Sequence, residues 1–282
     1  MRFIYITDFH GNHSAYKEAF QAAIDFKCQV IVNGGDILPK NFKSGTPFSK
    51  SQQEFFQSWL LPEAERLRQN GIRFYTQFGN DDAKGIVHLL DKADSLGTMI
   101  RLDERGWIRF GEYWILGMPW VPDYPFGLKD WVCGDLEPIP NLVQYSDPVI
   151  TDQFHFVKLS GSWEDEIARR PTLKERLSKL PGSPDFSKSI FVMHSPPSHG
   201  GLDVISNGER VGSKAGLDYI AKHQPLLSLH GHIHESPRTT GQWYTSIGDT
   251  LAIQPGACPP KYVLIDLDAR SVYHPIHGET KF

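Results

Sequence analysis

The chain is poor in cysteine, has no long apolar run and carries no surplus of basic charge. Its three cysteines, Cys28, Cys133 and Cys258, stand far apart in 282 residues. That number and spacing fit neither a disulfide framework nor a cysteine-rich zinc site, which leaves ordinary thiols. The longest apolar stretches, such as FIYIT and QVIV, are strand-sized and fall short of the roughly 20 residues a membrane helix needs. Asp8 interrupts the first of them, so the N-terminus does not read as a secretory leader. The expectation is a mature chain that starts near Met1 and stays in the cytoplasm. Lys plus Arg number 29 against 33 Asp plus Glu, a net charge of -4. That balance gives no global attraction for long nucleic acid or an anionic membrane.

What is present suits one large α/β domain spanning residues 1–282, since 40% of the chain is hydrophobic and its length can bury a sizeable core. RFIYIT (2–7) reads as a strand covered on both faces. A helix capped by Ser14 follows to about Phe26, with apolar residues at three- and four-residue spacing. QVIVN (29–33) is a second buried strand, and this strand, helix, strand order opens a βαβ arrangement. SQQE (51–54) matches a capping box, predicting a helix from Ser51 to Leu60 and a second segment after Pro62. IRFYTQF (72–78) is a third strand, and WIRF and YWILG, parted by Gly111 and Glu112, form a hairpin. Thr172 and Glu175 match another capping box within helical material from about Trp163 to Leu180. SIFVM (189–193), LLSL (226–229), TLAIQPG and YVLIDLD are further strands, with a short helix after Ser213. Between 119 and 148, six prolines and the aromatics Trp120, Tyr124, Phe126 and Trp131 rule out a regular helix or central strand. This insertion reads either as an irregular loop held by its aromatics or as a lid beside a site.

Successive strand ends carry Asp8 and His10, then Asp36, Asn80, His194, and finally His232 and His234. One histidine at a strand end is most often a hydrogen-bonded structural residue. Five strand ends in order, all offering oxygen or nitrogen ligands where an α/β sheet places its functional loops, argue for a site. Mixed donors of this kind suit zinc, iron or manganese. Seven ligands over-supply one ion but serve two, roughly 3.5 to 4 Å apart, with one bridging carboxylate. Gly11, Gly34, Gly35 and Gly79 are expected in close turns at the cluster.

The blocks DFH (8–10), GGD (34–36), GNDD (79–82), the His194 of HSPP, and GHIH (231–234) together resemble the calcineurin-like metallophosphoesterase superfamily. HSPPSHGG and LLSLHGHIHESPR further resemble a branch with uncharacterised members, some similar to cyclic-nucleotide phosphodiesterases. The resemblance implies a four-layer fold, a central β-sandwich flanked by helices. It implies one ion held by Asp8, His10, Asp36 and His234, and a second by Asp36, Asn80, His194 and His232. His230 is left over and reads as a packed ring.

The implied activity is hydrolysis of a phosphate ester by water activated between two metal ions, with no side-chain nucleophile; Ser195 and Ser198 are then turn residues. One position departs from the superfamily pattern. Asp81 stands where histidine is usual, and an ionised aspartate is a poor proton donor. His199 and His13 are candidate substitutes. The expected substrate is a small phosphodiester or phosphomonoester, a nucleotide among the candidates, because aromatics of the insertion can stack on a base. A catalytically idle metal-binding scaffold and a DNA nuclease are the alternatives.

Overall fold

Alternate residues of the first strand, β1 (Arg2–Ile6), enter two different cores in the computed structural model, which describes residues 1–40 and 46–282. Phe3 and Tyr5 join one buried cluster, Ile4 and Ile6 another, because successive side chains of a strand point to opposite faces. That explains why the strand is apolar throughout. β2 (Val30–Asn33), β3 (Arg73–Thr76) and β4 (Ile100–Arg101) follow it in parallel.

β5 (Ile108–Phe110) and β6 (Tyr113–Met118) form the expected hairpin around Gly111, whose φ of 64° suits the tight turn. β7 (Val121–Pro122) and β8 (Val132–Cys133) make a small parallel pair inside the aromatic stretch, and β9 (Val149–Thr151) and β10 (Phe156–Lys158) an antiparallel pair beyond it. β11 (Ser189–Met193) and β12 (Leu227–Leu229) extend β6 in parallel, and β13 (Tyr244–Ile247) and β14 (Thr250–Ile253) finish that sheet. β15 (Tyr262–Asp266), β16 (Ser271–His274) and β17 (Gly278–Lys281) return to β1. The result is a seven-stranded sheet, β17-β16-β15-β1-β2-β3-β4, and a six-stranded one, β13-β14-β12-β11-β6-β5.

The two sheets face each other across a shared core, in which Phe3, Tyr5, Val30 and Val32 meet Ile190, Val192, Leu227 and Leu229. Helices cover the outer faces. α1 (His13–Asp25), α2 (Phe48–Phe55), α3 (Leu61–Gln69) and α4 (Val87–Ser95) pack on the first sheet, and α6 (Leu173–Ser178) and α7 (Lys214–His223) on the second; α5 (Trp163–Arg169) lies against the aromatic stretch and α8 (Ser236–Thr240) follows the last histidine motif. This is the four-layer sandwich that the motif resemblance implied. Among the described residues no helix is long and apolar enough to cross a membrane.

Three local expectations need correction. Asn12, not Ser14, caps α1, its Oδ1 accepting from the N–H groups of Ser14 and Ala15, each at 3.1 Å. α2 begins at Phe48, so Ser51 lies inside the helix, and its N–H donates to the Pro47 carbonyl at 3.0 Å. α2 then runs into α3 through a π turn at Phe56–Leu60; it precedes Pro62, which lacks the N–H that an unbroken α ladder needs. The helical material from Trp163 divides at Pro171 into α5 and α6, because the residue before a proline is pushed to extended backbone, as Arg170 is with ψ 137°. Thr172 and Glu175 do form the reciprocal cap of α6.

Candidate metal centre

The carboxyl ends of the parallel strands of both sheets meet at one edge, and their loops are hydrogen-bonded to one another. Asp8 N donates to the Gly35 carbonyl at 3.1 Å, His10 N to that of Asp36 at 2.9 Å, and Gly231 N to that of His194 at 2.9 Å. Asp8, His10, Asp36 and His232 all adopt left-handed backbone, with φ of 56°, 46°, 53° and 66°. Non-glycine residues rarely take this conformation, and it concentrates where surrounding structure over-determines a functional geometry.

Ligand atoms of Asp8, His10 and Asp36 lie within 4.8 Å of one another. His10 Nε2 is 3.9 Å from Asp36 Oδ2, and His194 Nε2 is 3.4 Å from the same oxygen. His194 Nε2 also lies 3.0 Å from Asn80 Oδ1, which stands 2.6 Å from His232 Nδ1. His234 is half-buried, its ring centroid 5.9 Å from that of His10. Six of the candidate ligands therefore gather around Asp36 and Asn80, and His234 stands beside His10.

The donor chemistry fits cations. His194 Nδ1 donates to the Gly34 carbonyl at 2.9 Å, which leaves Nε2 as the lone-pair nitrogen of the neutral ring. That lone pair faces two oxygens, an arrangement only a proton or a metal ion reconciles. Both ring nitrogens of His10 are buried without a hydrogen-bond partner among the described residues, a costly state unless a ligand bond replaces the lost water. In the absence of metal, burial works against the Asp36 charge, yet His194, His10 and the Asp81 N–H hold its carboxyl below the ordinary range. Burial also opposes a charged His194, but Asp36 outweighs it and raises the ring to about 9. His232 is lowered to about 3, by burial first and by His194 second.

The supporting residues are less visible in sequence. Asp8 accepts from Thr7 Oγ1 at 2.8 Å and from His232 N at 3.0 Å. Asp82, the second aspartate of GNDD, accepts from the backbone N–H groups of Ile37, Leu38 and Gly79 at 3.0, 2.8 and 2.8 Å, tying the β2 and β3 loops together. The doubled aspartate was the only sequence signal for it. Gly79 leaves no room for a side chain, since a Cβ there would stand 2.4 Å from Asp36 N. His230 is a packing ring: Nε2 meets Ser228 Oγ at 2.8 Å, and Nδ1 meets the carbonyls of Met193 and Ser195 at 3.0 and 3.1 Å. Burial lowers it to about 4, so it is neutral.

Asp81 joins the centre, its N–H donating to Asp36 Oδ1 at 2.8 Å and its Oδ2 lying 3.7 Å from His10 Nδ1. Its carboxylate pairs with Lys40 at 3.2 Å, a residue that no sequence motif marked. Burial works against the Lys40 charge, but Asp81 and Asp36 overcome it and hold the ammonium above the ordinary lysine range. His199 is exposed, and among the described residues its ring makes no hydrogen bond, ion pair or ring contact. His13 stacks on Trp59 with ring centroids 4.4 Å apart. Neither is brought to the acidic cluster by a contact.

The aromatic stretch is held by its own rings, as one of the two readings expected, and one of them stands next to the centre. Trp120 and Trp131 are buried, and Trp131 Nε1 donates to the Asp82 carbonyl at 2.8 Å. Tyr124 lies beside the centre, its ring centroid 5.7 Å from that of His232.

The sequence model of calcineurin-like phosphoesterases matches residues 1–236. No curated protein matches the chain significantly. Among solved structures, TT1561 of Thermus thermophilus is similar at 18% identity, covering 99% of this chain and 98% of its own, with a TM-score of 0.54; that likeness concerns the fold. A structure described as a novel archaeal phosphodiesterase shares 11% identity over 100% of both chains, with a TM-score of 0.45. A dimetal phosphatase from Danio rerio shares 12% over 96% of this chain and 94% of its own, with a TM-score of 0.46.

Proposed function

The chain belongs to the calcineurin-like phosphoesterase family, and on that premise we propose that its centre takes up two metal ions and hydrolyses a small phosphodiester or phosphomonoester, the diester foremost. The observation that carries the dinuclear reading is the position of Asp36 Oδ2, flanked by two separate imidazoles, His10 at 3.9 Å and His194 at 3.4 Å. Asp8, His10, Asp36 and His234 would hold one ion, and Asp36, Asn80, His194 and His232 the other. Manganese, iron and zinc all suit this donor set. When bound, the pair supplies Lewis-acid offset of phosphoryl charge and a lowered pKa for the attacking water.

The remaining work falls to the chain itself. Gly34 O orients the His194 ring, Thr7 and the His232 N–H orient Asp8, and the Asp81 N–H orients Asp36. Such partners fix ligand geometry as firmly as the ligands themselves. No side-chain nucleophile is needed; the buried Ser195 hydroxyl is directed at the neighbouring Pro196 carbonyl, 3.4 Å away. For the organic group of the ester, a line of rings leaves the centre: Tyr124 lies 6.0 Å from Phe126, and Phe126 6.0 Å from Tyr145. Phe126 and Tyr145 are exposed, which favours an aromatic substituent such as a nucleobase. The net charge of -4 disfavours long nucleic acid.

The test is hydrolysis of bis(4-nitrophenyl) phosphate with manganese added. Activity should disappear on chelation and return with metal. Asp36→Ala should lose metal in elemental analysis and lower kcat/KM by more than ~100-fold, beyond the usual cost of changes one step removed from a metal. A fully loaded protein with one ion per chain would refute the dinuclear centre. Full metal uptake without turnover of any ester would leave a binding protein instead of an enzyme.

A further inference from the structure

Apart from the ions it would hold, the proposed centre is rich in carboxyl groups. Asp8, Asp36, Asp81 and Asp82 place four carboxyl groups in or beside it, and a phosphate ester brings more negative charge. Asp81 is the most open of the four, with a quarter of its side chain accessible, so an incoming phosphoryl group meets its repulsion first. Among the described residues, Lys40 is the one lysine or arginine paired with any of these carboxylates. Its side chain is 44% accessible, open to an arriving ligand.

The pair is also deliberately placed. Gln52 is fully buried and spends its whole amide on this corner: Nε2 donates to the Pro39 carbonyl at 3.0 Å and to the Asp81 carbonyl at 2.8 Å, while Oε1 accepts from Ala83 N at 2.8 Å. One side chain thus clamps the residue before Lys40 to the backbone of Asp81. The Asp82 bonds to Ile37 N and Leu38 N hold the same segment from its other end. A buried amide with all its partners supplied is a rigid fixture, whereas a half-exposed lysine-carboxylate pair is loosely held. The backbone is fixed and the ammonium is free to swing.

We propose that Lys40 is a substrate-contacting residue: its ammonium rests on Asp81 in the free protein and donates to an anionic phosphoryl oxygen when the ester binds. This rests on the hydrolase reading above. The contact offsets the carboxylate repulsion and selects for an anionic phosphoryl group. No proton leaves the nitrogen, so the step is a hydrogen bond exchanged between two anions, aspartate and phosphate.

The test compares metal-loaded wild type with Lys40→Met and Lys40→Arg, each checked for metal content and thermal midpoint. Inorganic phosphate binding is measured by calorimetry and bis(4-nitrophenyl) phosphate turnover by absorbance. Lys40→Met should weaken phosphate binding and lower kcat/KM by roughly 10- to 100-fold, the size of one charge-assisted hydrogen bond, at unchanged metal content and midpoint. Lys40→Arg should restore most of both. If wild type cleaves the ester and Lys40→Met matches it in phosphate affinity and kcat/KM, the lysine role is overturned while the hydrolase reading stands. If loaded wild type neither binds phosphate nor cleaves esters, both fall.

Discussion

Gly34 lies between a strand and the candidate metal centre and has no room for a side chain. A Cβ there would lie 2.1 Å from Tyr5 Oη, a hydroxyl already committed to the His230 carbonyl at 2.9 Å. Gly34→Ala is expected to cost ~1–3 kcal/mol through overpacking, read as a lower urea midpoint at unchanged m-value. Adding Tyr5→Phe removes the nearest atom, so the double variant should recover part of the loss despite one hydrogen bond worth ~1 kcal/mol. Strict additivity of the two changes would show that the hydroxyl is not the obstacle. At this scale the candidate ligands were legible, because each is a strong metal-ligand type at a strand end. Lys40, Gln52 and Asp82 were not, because a lysine or glutamine in a loop is ordinary surface composition until its partner is known.

Among the elements, α6 best separates local from distant causes. Thr172 Oγ1 accepts from Glu175 N at 3.2 Å, and Glu175 Oε2 accepts from Thr172 N at 2.9 Å. Leu173 and Leu177 carry the helix into the core. Thr172→Ala should cost ~1 kcal/mol of stability and lower Tm by about 2 °C, with metal content and ester turnover unchanged; no shift in a calorimetric scan would mean packing alone holds α6. Strands buried on both faces were readable as apolar runs. β13, β16 and β17 were not. β13 and β17 are sheet edges and are only partly buried, and an edge strand that meets solvent on one side needs no apolar run. The true cap of α1 escaped because several polar residues in a row each satisfy the capping pattern and the chain path selects one; the start of α2 escaped because its N-cap, Pro47, makes no side-chain cap bond at all.

At the scale of the molecule, the proposed ions join two layers. Asp8, Asp36 and Asn80 follow strands of the seven-stranded sheet, while His194, His232 and His234 follow strands of the six-stranded sheet. Metal bound there ties the sheets together at one edge, and a ligand that binds only the folded state stabilises it by mass action. Manganese at ~100 times its dissociation constant should add ~2.7 kcal/mol and raise Tm; a chelator should reverse this, and Asp36→Ala should abolish the shift. A wild-type Tm indifferent to metal and chelator would contradict a centre built across the sandwich.

Periodicity and punctuation along the chain were enough to place the buried strands and the candidate ligands at their ends, since those depend on neighbours within a few positions. Folding alone decided the rest. Asn80 meets His194 across 114 positions and His232 across 152, and Lys40 meets Asp81 where a buried Gln52 clamps the Pro39 and Asp81 backbones together. Which histidine packs as a core ring and which faces the centre, and which cation answers the acidic cluster, follow from how the two sheets stack. Contacts of that range are set by the geometry of packing and leave no periodic trace in the residues between.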